Sequence, residues 1–244
     1  MPSAAISLID QFRAGKSLKS STFVKQITAA GAKEVDPHNG NTALHYACCN
    51  GAPLSVVAPL LSAHPGAASA RDTDGNIPLC GAVANGASAD VVVALLEAFP
   101  EGASARQGLG HQLTLLHSAC CNGASVAVVA ALLAAWPEAI RECDADGNTP
   151  LHFAAASKAS ADVVRALVAA YPEAAQLRGQ MGRLPLSLAV LCEAPPLSCE
   201  VIRDANPDAL REMSMVADYL NHGYGVIGAA TPPSGPSPAA RRQC

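Results

Sequence analysis

The chain is 244 residues long, 50% hydrophobic but only 4% aromatic, with a formal charge of −4 from 16 basic and 20 acidic side chains. Ala, Val and Leu supply most of the apolar content, which suits many short, closely packed helices and speaks against an aromatic-rich β sandwich. So mild a charge, with no basic stripe to track phosphates, excludes a polyanionic partner such as nucleic acid.

The opening MPSAAISLIDQF has no basic leader, and Asp10 interrupts its apolar run, so it is not read as a signal peptide. Further on, the sequence repeats. TALH at Thr42, IPLC at Ile77, TLLH at Thr114, TPLH at Thr149 and LPLS at Leu184 align, their leucines at steps of 35, 37, 35 and 35 residues. The prolines of AHP, AFP, AWP, AYP and ANP, at Pro65, Pro100, Pro137, Pro172 and Pro207, keep the same steps. Two separate markers therefore share one period and one insertion, which lies in QGLGHQL between Pro100 and Leu116.

Each repeat reads as two short helices and a turn. In the first, Leu44, Ala47, Cys48 and Gly51 fall on one helical face, and Val56, Val57, Leu60 and Leu61 form the stripe of a second helix. That stripe returns as Val91, Val92, Leu95 and Leu96, as Val128, Val129, Leu132 and Leu133, and as Val163, Val164, Leu167 and Val168. Pro59 interrupts the first of these helices and should bend it. The longest apolar run, Ala124 to Trp136, has the length of a core helix and is too short for a membrane span. A proline stops each second helix, and segments such as DTDGN and DADGN supply the turns. Helices below about 12–15 residues are marginal alone, so each repeat must bury its stripe on its neighbours. The fold class expected is an all-α solenoid.

DADGNTPLHFAAA, Asp144 to Ala156, resembles the ankyrin repeat, whose signature is Thr-Pro-Leu-His-x-Ala at a period of about 33 residues. The resemblance runs from about residue 20 to about residue 210 through five fingers. It implies an ankyrin-repeat domain over residues 1–222, with β-hairpin-like fingers and repeats starting near 36, 72, 107, 144 and 179. Residues 1–35 then form an N-terminal cap, with Gly31-Ala32 closing its second helix and Lys16, Lys19, Lys25 and Lys33 on its wet face. The fifth repeat departs from the pattern, with Ser198 and Cys199 where other second helices carry valines, as suits a terminal repeat. A final helix at about 210–222 is expected to close the stack through Met213, Val216 and Leu220. Residues 223–244, rich in Gly, Pro and Ser, read as a disordered tail in which Thr231-Pro232 and Ser237-Pro238 have the form of proline-directed phosphorylation sites.

LHYACCNG, from Leu44, returns as LHSACCNG, from Leu116, each time putting one His and two Cys on a helix in a combination that zinc favours. Octets two repeats apart cannot share an ion whose bonds are about 2 Å long, and each would need a further ligand from elsewhere. Cys48 and Cys120 stand where ankyrin repeats carry a small buried residue, and the resemblance gives His45, His117 and His152 a hydrogen bond to neighbouring backbone. No metal and no cofactor are therefore expected. AGKS at Ala14 lacks the first glycine of a phosphate loop, and GYGVIG at Gly223 follows a helical segment instead of a strand. Asp72, Asp74, Asp144 and Asp146 sit on solvated turns, so the chain offers no catalytic constellation and is not read as an enzyme. Nine cysteines, an odd number, point to reduced thiols in an intracellular protein, cytoplasmic or nuclear.

The resemblance implies a protein-binding scaffold, a monomer, that grips its partner with finger tips and first-helix ends. The tip residues are His38, Asn39 and Asn41; Thr73, Asp74 and Asn76; Leu109, His111 and Leu113; Ala145, Asp146 and Asn148; Gln180, Met181 and Arg183. The helix ends are Cys49 with Asn50, Ala84 with Asn85, Cys121 with Asn122, and Ala156 with Ser157. Acidic second and fourth fingers around Leu109 and Leu113 suggest a partner with an apolar anchor flanked by basic residues. Two other readings are a regulatory or adaptor subunit of an enzyme complex, such as a ubiquitin ligase or kinase, and a thiol redox or metal protein using Cys49 and Cys121.

Overall fold

A computed structural model describes residues 7–13, 27–107 and 112–210 of the chain. The chain divides into two compact bodies, Met1–Ala139 and Ile140–Cys244. In the first body, α1 (Leu8–Arg13) and α2 (Ala29–Ala32) precede three helix pairs. These are α3 (Ala43–Cys49) with α4 (Leu54–Ala63), α5 (Pro78–Ala84) with α6 (Ala89–Ala98), and α7 (Leu115–Cys121) with α8 (Val126–Ala135). First helices pack in the order α1, α3, α5, α7, and second helices in the order α4, α6, α8, so the body has two helical layers. The second body holds α9 (Pro150–Ala156) with α10 (Ala161–Ala170) and α11 (Pro185–Leu191) with α12 (Pro196–Ala205), layered in the same way.

The apolar stripes are what the layers bury. Val56, Val57 and Leu60 are buried, as are Val91, Val92, Leu95 and Leu96, then Val128, Val129 and Leu132, then Val163, Val164 and Leu167. Three such side chains contribute on the order of 5 kcal/mol per helix, enough to hold a ten-residue helix that would fray alone. Leu61, Leu133 and Val168, at the edge of the stripe, are half-buried. Pro59 lies inside α4, which runs unbroken from Leu54 to Ala63 although the Ser55 carbonyl has no N–H at residue 59 to bind. Gly51 corrects the expected face of α3: it is exposed, lies beyond the helix end and turns the chain at a φ of 64°, as Gly86 and Gly123 do.

One element was not anticipated. The proline after each of the first four second helices does more than stop it: Pro65–Ser69, Pro100–Ser104, Pro137–Arg141 and Pro172–Gln176 are 3-10 turns. The residue before each proline is pushed out of the helical region by the ring, and His64, Phe99 and Tyr171 share a φ near −150° and a ψ near 80°. The proline then occupies the first helical position, where its fixed φ fits and no N–H is missed.

The fingers are less regular than hairpins. In the third repeat β1 (Arg106–Gln107) pairs antiparallel with β2 (Leu113–Thr114), Arg106 facing Thr114, and in the first a single bridge joins Val35 to Thr42. The second, fourth and fifth fingers close as turns without strand pairing among the described residues. Leu109 and His111 of the third finger lie outside the described residues, as do Lys16, Lys19 and Lys25, the proposed capping residues Met213, Val216 and Leu220, and the tail. No described helix is long and apolar enough to cross a membrane.

Candidate functional site

An aspartate at the base of a finger orders its tip. Asp72 accepts from the Asp74 and Asn76 amides through Oδ1, at 2.9 and 2.8 Å, and the Asn76 side chain donates to Oδ2 at 3.3 Å. Asp144 does the same for Asp146 and Asn148, with the Asn148 side chain at 3.0 Å. In the first finger buried Asp36 accepts from the His38 amide at 3.0 Å and from the Tyr46 hydroxyl, while Asn39 accepts from the Asn41 amide. A short carboxylate side chain reaching back to amides two and four residues on is the usual reason for Asp in such turns. Neighbouring fingers then join edge to edge: the Thr73 amide donates to the Asn39 carbonyl, and the Gln180 amide donates to the Asn148 side chain, both at 2.9 Å.

The histidines of the repeated tetrapeptides tie the first helices to this rim. Nδ1 of His45 accepts from the Thr42 amide at 3.1 Å, and Nε2 lies 3.1 Å from the Asn76 carbonyl oxygen in the next finger. A carbonyl can only accept, so the proton of the neutral ring sits on Nε2 and leaves Nδ1 free to accept. His152 repeats both contacts, with the Thr149 amide at 3.1 Å and the Arg183 carbonyl at 3.2 Å, and His117 takes the Thr114 amide at 3.3 Å. All three histidines are buried. The hydrogen bond to neighbouring backbone that the resemblance assigns to these residues is thus present at His45 and His152.

Against this geometry the expected partner-binding residues separate into two groups. His38, Thr73, Asp74, Ala145, Asp146, Gln180, Met181 and Arg183 are exposed at the tips. Asn39, Asn41, Asn76 and Asn148 are half-buried and belong to the hydrogen bonding that shapes the loops. At the helix ends Cys49, Asn50, Ala84, Asn85, Cys121 and Asn122 are exposed, whereas Ala156 and Ser157 are half-buried. Asn85 and Asn122 each donate to a carbonyl of their own helix, at Gly81 and Ser118, both at 2.8 Å. Leu113 is half-buried in β2.

Sequence reasoning missed a set of arginines. Arg71, Arg106 and Arg178 each donate from Nη1 across their finger, to the carbonyls of Gly75, Gln112 and Gly182, at 2.7, 3.1 and 2.9 Å. They recur in the same register as the leucines and prolines, with Cys143 at the corresponding place before the fourth finger, so the signal was present in the spacing. The fifth finger is also chemically different. Gly179 replaces the ordering aspartate, because a Cβ there would run into the Asn148 side-chain oxygen. Met181 occupies the tip position of Asp74 and Asp146, 82% exposed and held at a φ of 57°, between Arg178 and Arg183.

Cys48, Cys49 and Cys120 are poor candidates for chemistry. Burial raises the pKa of the Cys48 thiol and pushes Cys120 up to about 12, and burial followed by the charge of Asp72 raises Cys49. A thiol held protonated is a weak nucleophile and a weak metal ligand. No group of three His, Cys, Asp or Glu among the described residues is arranged to hold a metal ion. Cys48, Cys49, Cys120, Cys121, Cys192 and Cys199 carry free thiols.

The comparisons with known proteins agree with the fold. The family profile for ankyrin repeats matches in three overlapping copies, over residues 12–107, 82–176 and 116–203. A chain in the complex of the Bd0816 predatory endopeptidase from Bdellovibrio bacteriovorus with immunity protein Bd3460 is similar at a TM-score of 0.62 and 21% identity, covering 83% of this chain and 99% of that one. The human ASB11 ankyrin repeat domain is similar at a TM-score of 0.61 and 23% identity, covering 82% of this chain and 83% of that one. No curated protein matches the sequence. Ankyrin repeats generally mediate protein–protein interaction and are typically non-catalytic. With a family match that spans most of its length and helix pairs layered as that family layers them, the chain belongs to the ankyrin-repeat family.

Proposed function

We propose that this chain is a non-catalytic scaffold that binds a partner protein through its finger tips and first-helix ends. The observation that carries the reading is the division of labour in the fingers. Asp72 and Asp144 spend their carboxylates on the loop, while Asp74 and Asp146, two residues on, are exposed on a turn already fixed. A surface ordered before binding loses little conformational entropy on association, which is what a recognition surface requires. One of the similar structures is itself a complex between an endopeptidase and an immunity protein, in line with this role. The partner segment has an apolar anchor and basic groups that meet Asp74 and Asp146. The raised pKa of Cys49 weighs against the thiol alternative.

The test is affinity capture followed by association kinetics with Asp74→Lys and Asp146→Lys. Reversing these charges slows association and flattens its dependence on salt. Equal capture and unchanged rates reject the reading. An enzymatic activity that co-purifies with the captured partner marks the chain as a regulatory or adaptor subunit rather than a passive scaffold.

A further inference from the structure

The last described repeat ends on a face built like an interior one but left open. Cys48 in α3, Val83 in α5, Cys120 in α7 and Ala155 in α9 hold equivalent positions and are all buried. Their counterpart in α11 is Val190, which is 49% exposed. A second position tells the same story. Ala68, Ala103, Ile140 and Ala175, each three residues after its proline, are buried, whereas Leu210, three after Pro207, is 48% exposed. Within each body such positions are covered by the next pair of helices, as α3 is by α5 and α9 by α11. The outer end of a repeat array that faces water carries polar side chains, so a valine and a leucine at these two positions call for a cover.

We propose that residues 211–222 of the same chain dock on this face as a single amphipathic helix. The segment starts at the face itself, because Leu210 is part of it. Met213, Val216 and Leu220 recur at i, i+3 and i+7 and form one apolar stripe, with Arg211, Glu212, Asp218 and Asn221 at other positions. No glycine or proline falls between Asp208 and His222 to break a helix. Twelve residues make a helix about 18 Å long, comparable to the ten-residue second helices. The sequence after Leu210 contains no tetrapeptide like TPLH, so it supplies a lone helix rather than a sixth repeat. This docking is independent of the partner-binding rim.

Hydrogen exchange on the full-length chain, run at two protein concentrations with the mass checked by sedimentation, tests it. Amides within 213–220 of the monomer exchange at least about tenfold more slowly than in an unstructured chain. Val216→Asp abolishes that protection and speeds exchange in α11. Val190→Ala and Val216→Ala are non-additive in unfolding measurements, as contacting residues are. Random-coil exchange at 213–220 in the monomer overturns the proposal. Protection that disappears on dilution, along with a dimer mass, also overturns it by making a second copy the cover.

Discussion

His45 and Thr42 close a reciprocal box across the first turn of α3: the Thr42 amide donates to Nδ1 at 3.1 Å and the His45 amide donates to the Thr42 hydroxyl oxygen at 3.4 Å. Glutamate or glutamine usually fills the third position of such a box, and histidine adds a second reach, from Nε2 to the Asn76 carbonyl. One side chain thus caps its own helix and fastens the next finger. His45→Ala leaves the Thr42 amide and the Asn76 carbonyl without these partners, which costs about 2–4 kcal/mol. His45→Gln restores the cap but not the finger contact and recovers about 1 kcal/mol of that. Urea unfolding of the two variants checks the order, and equal stability of Ala and Gln at this position sinks the idea.

The same contacts make stability depend on pH. Burial pushes the pKa of His45 below its ordinary 6.5, outweighing the opposing effects of the Asn76 carbonyl bond and the Asp72 charge. Protonation would put a hydrogen on Nδ1, facing the Thr42 amide donor. Because the folded pKa is depressed, the unfolded chain binds the proton first. The contribution is complete above pH 6.5 and is lost as pH falls from there through the folded value. Unfolding curves between pH 8 and pH 5 show stability declining below about 6.5, with a shallower decline in His45→Gln. Parallel profiles for the two proteins contradict the assignment.

How much of this was readable in advance differs by level. The helix pairs were legible because their stripes recur with two markers in step, and Val91, Val92, Leu95 and Leu96 are buried as a set. The 3-10 turns were not, because a proline after a helix reads first as a stop. Its second use, as the first residue of a new turn, depends on the φ and ψ that the preceding residue adopts. At the rim, residue type alone did not divide labour between neighbours. Asp72 and Asp74 look alike in sequence, yet one closes the loop and the other faces solvent. Asn76 and Asn148 resemble contact residues for the same reason, and only the carboxylate they bind shows otherwise.

Gly81 and Cys49 set how closely α3 and α5 approach within the first body. A Cβ at residue 81 would lie 2.7 Å from the Cys49 sulfur, well inside contact distance. Gly81→Ala therefore destabilises by about 1–3 kcal/mol, even though alanine is the better helix former by about 1 kcal/mol. Removing the sulfur reverses the sign. In a Cys49→Ala background Gly81→Ala is neutral or stabilising by up to about 1 kcal/mol, and a double-mutant cycle by thermal or urea unfolding reads the coupling. Additive effects show that the sulfur is not what excludes a side chain.

Ser198 occupies the place that Val56, Val91, Val128 and Val163 hold in the other second helices, and it is buried like them. Restoring the valine looks like an improvement by pattern. The structure argues the reverse, since the Ser198 hydroxyl donates to the Ala159 carbonyl at 2.8 Å from within the buried interface between the fourth and fifth repeats. Ser198→Val gains about 1 kcal/mol of apolar burial but takes that donor away, a loss of about 1–3 kcal/mol, and must also fit an additional methyl group. Net destabilisation of about 1–2 kcal/mol follows. Ser198→Ala, which loses the bond without crowding, costs about 1 kcal/mol. Denaturant midpoints of the three proteins decide the matter, and a valine variant more stable than the natural chain shows that the serine there contributes no hydrogen bond of value.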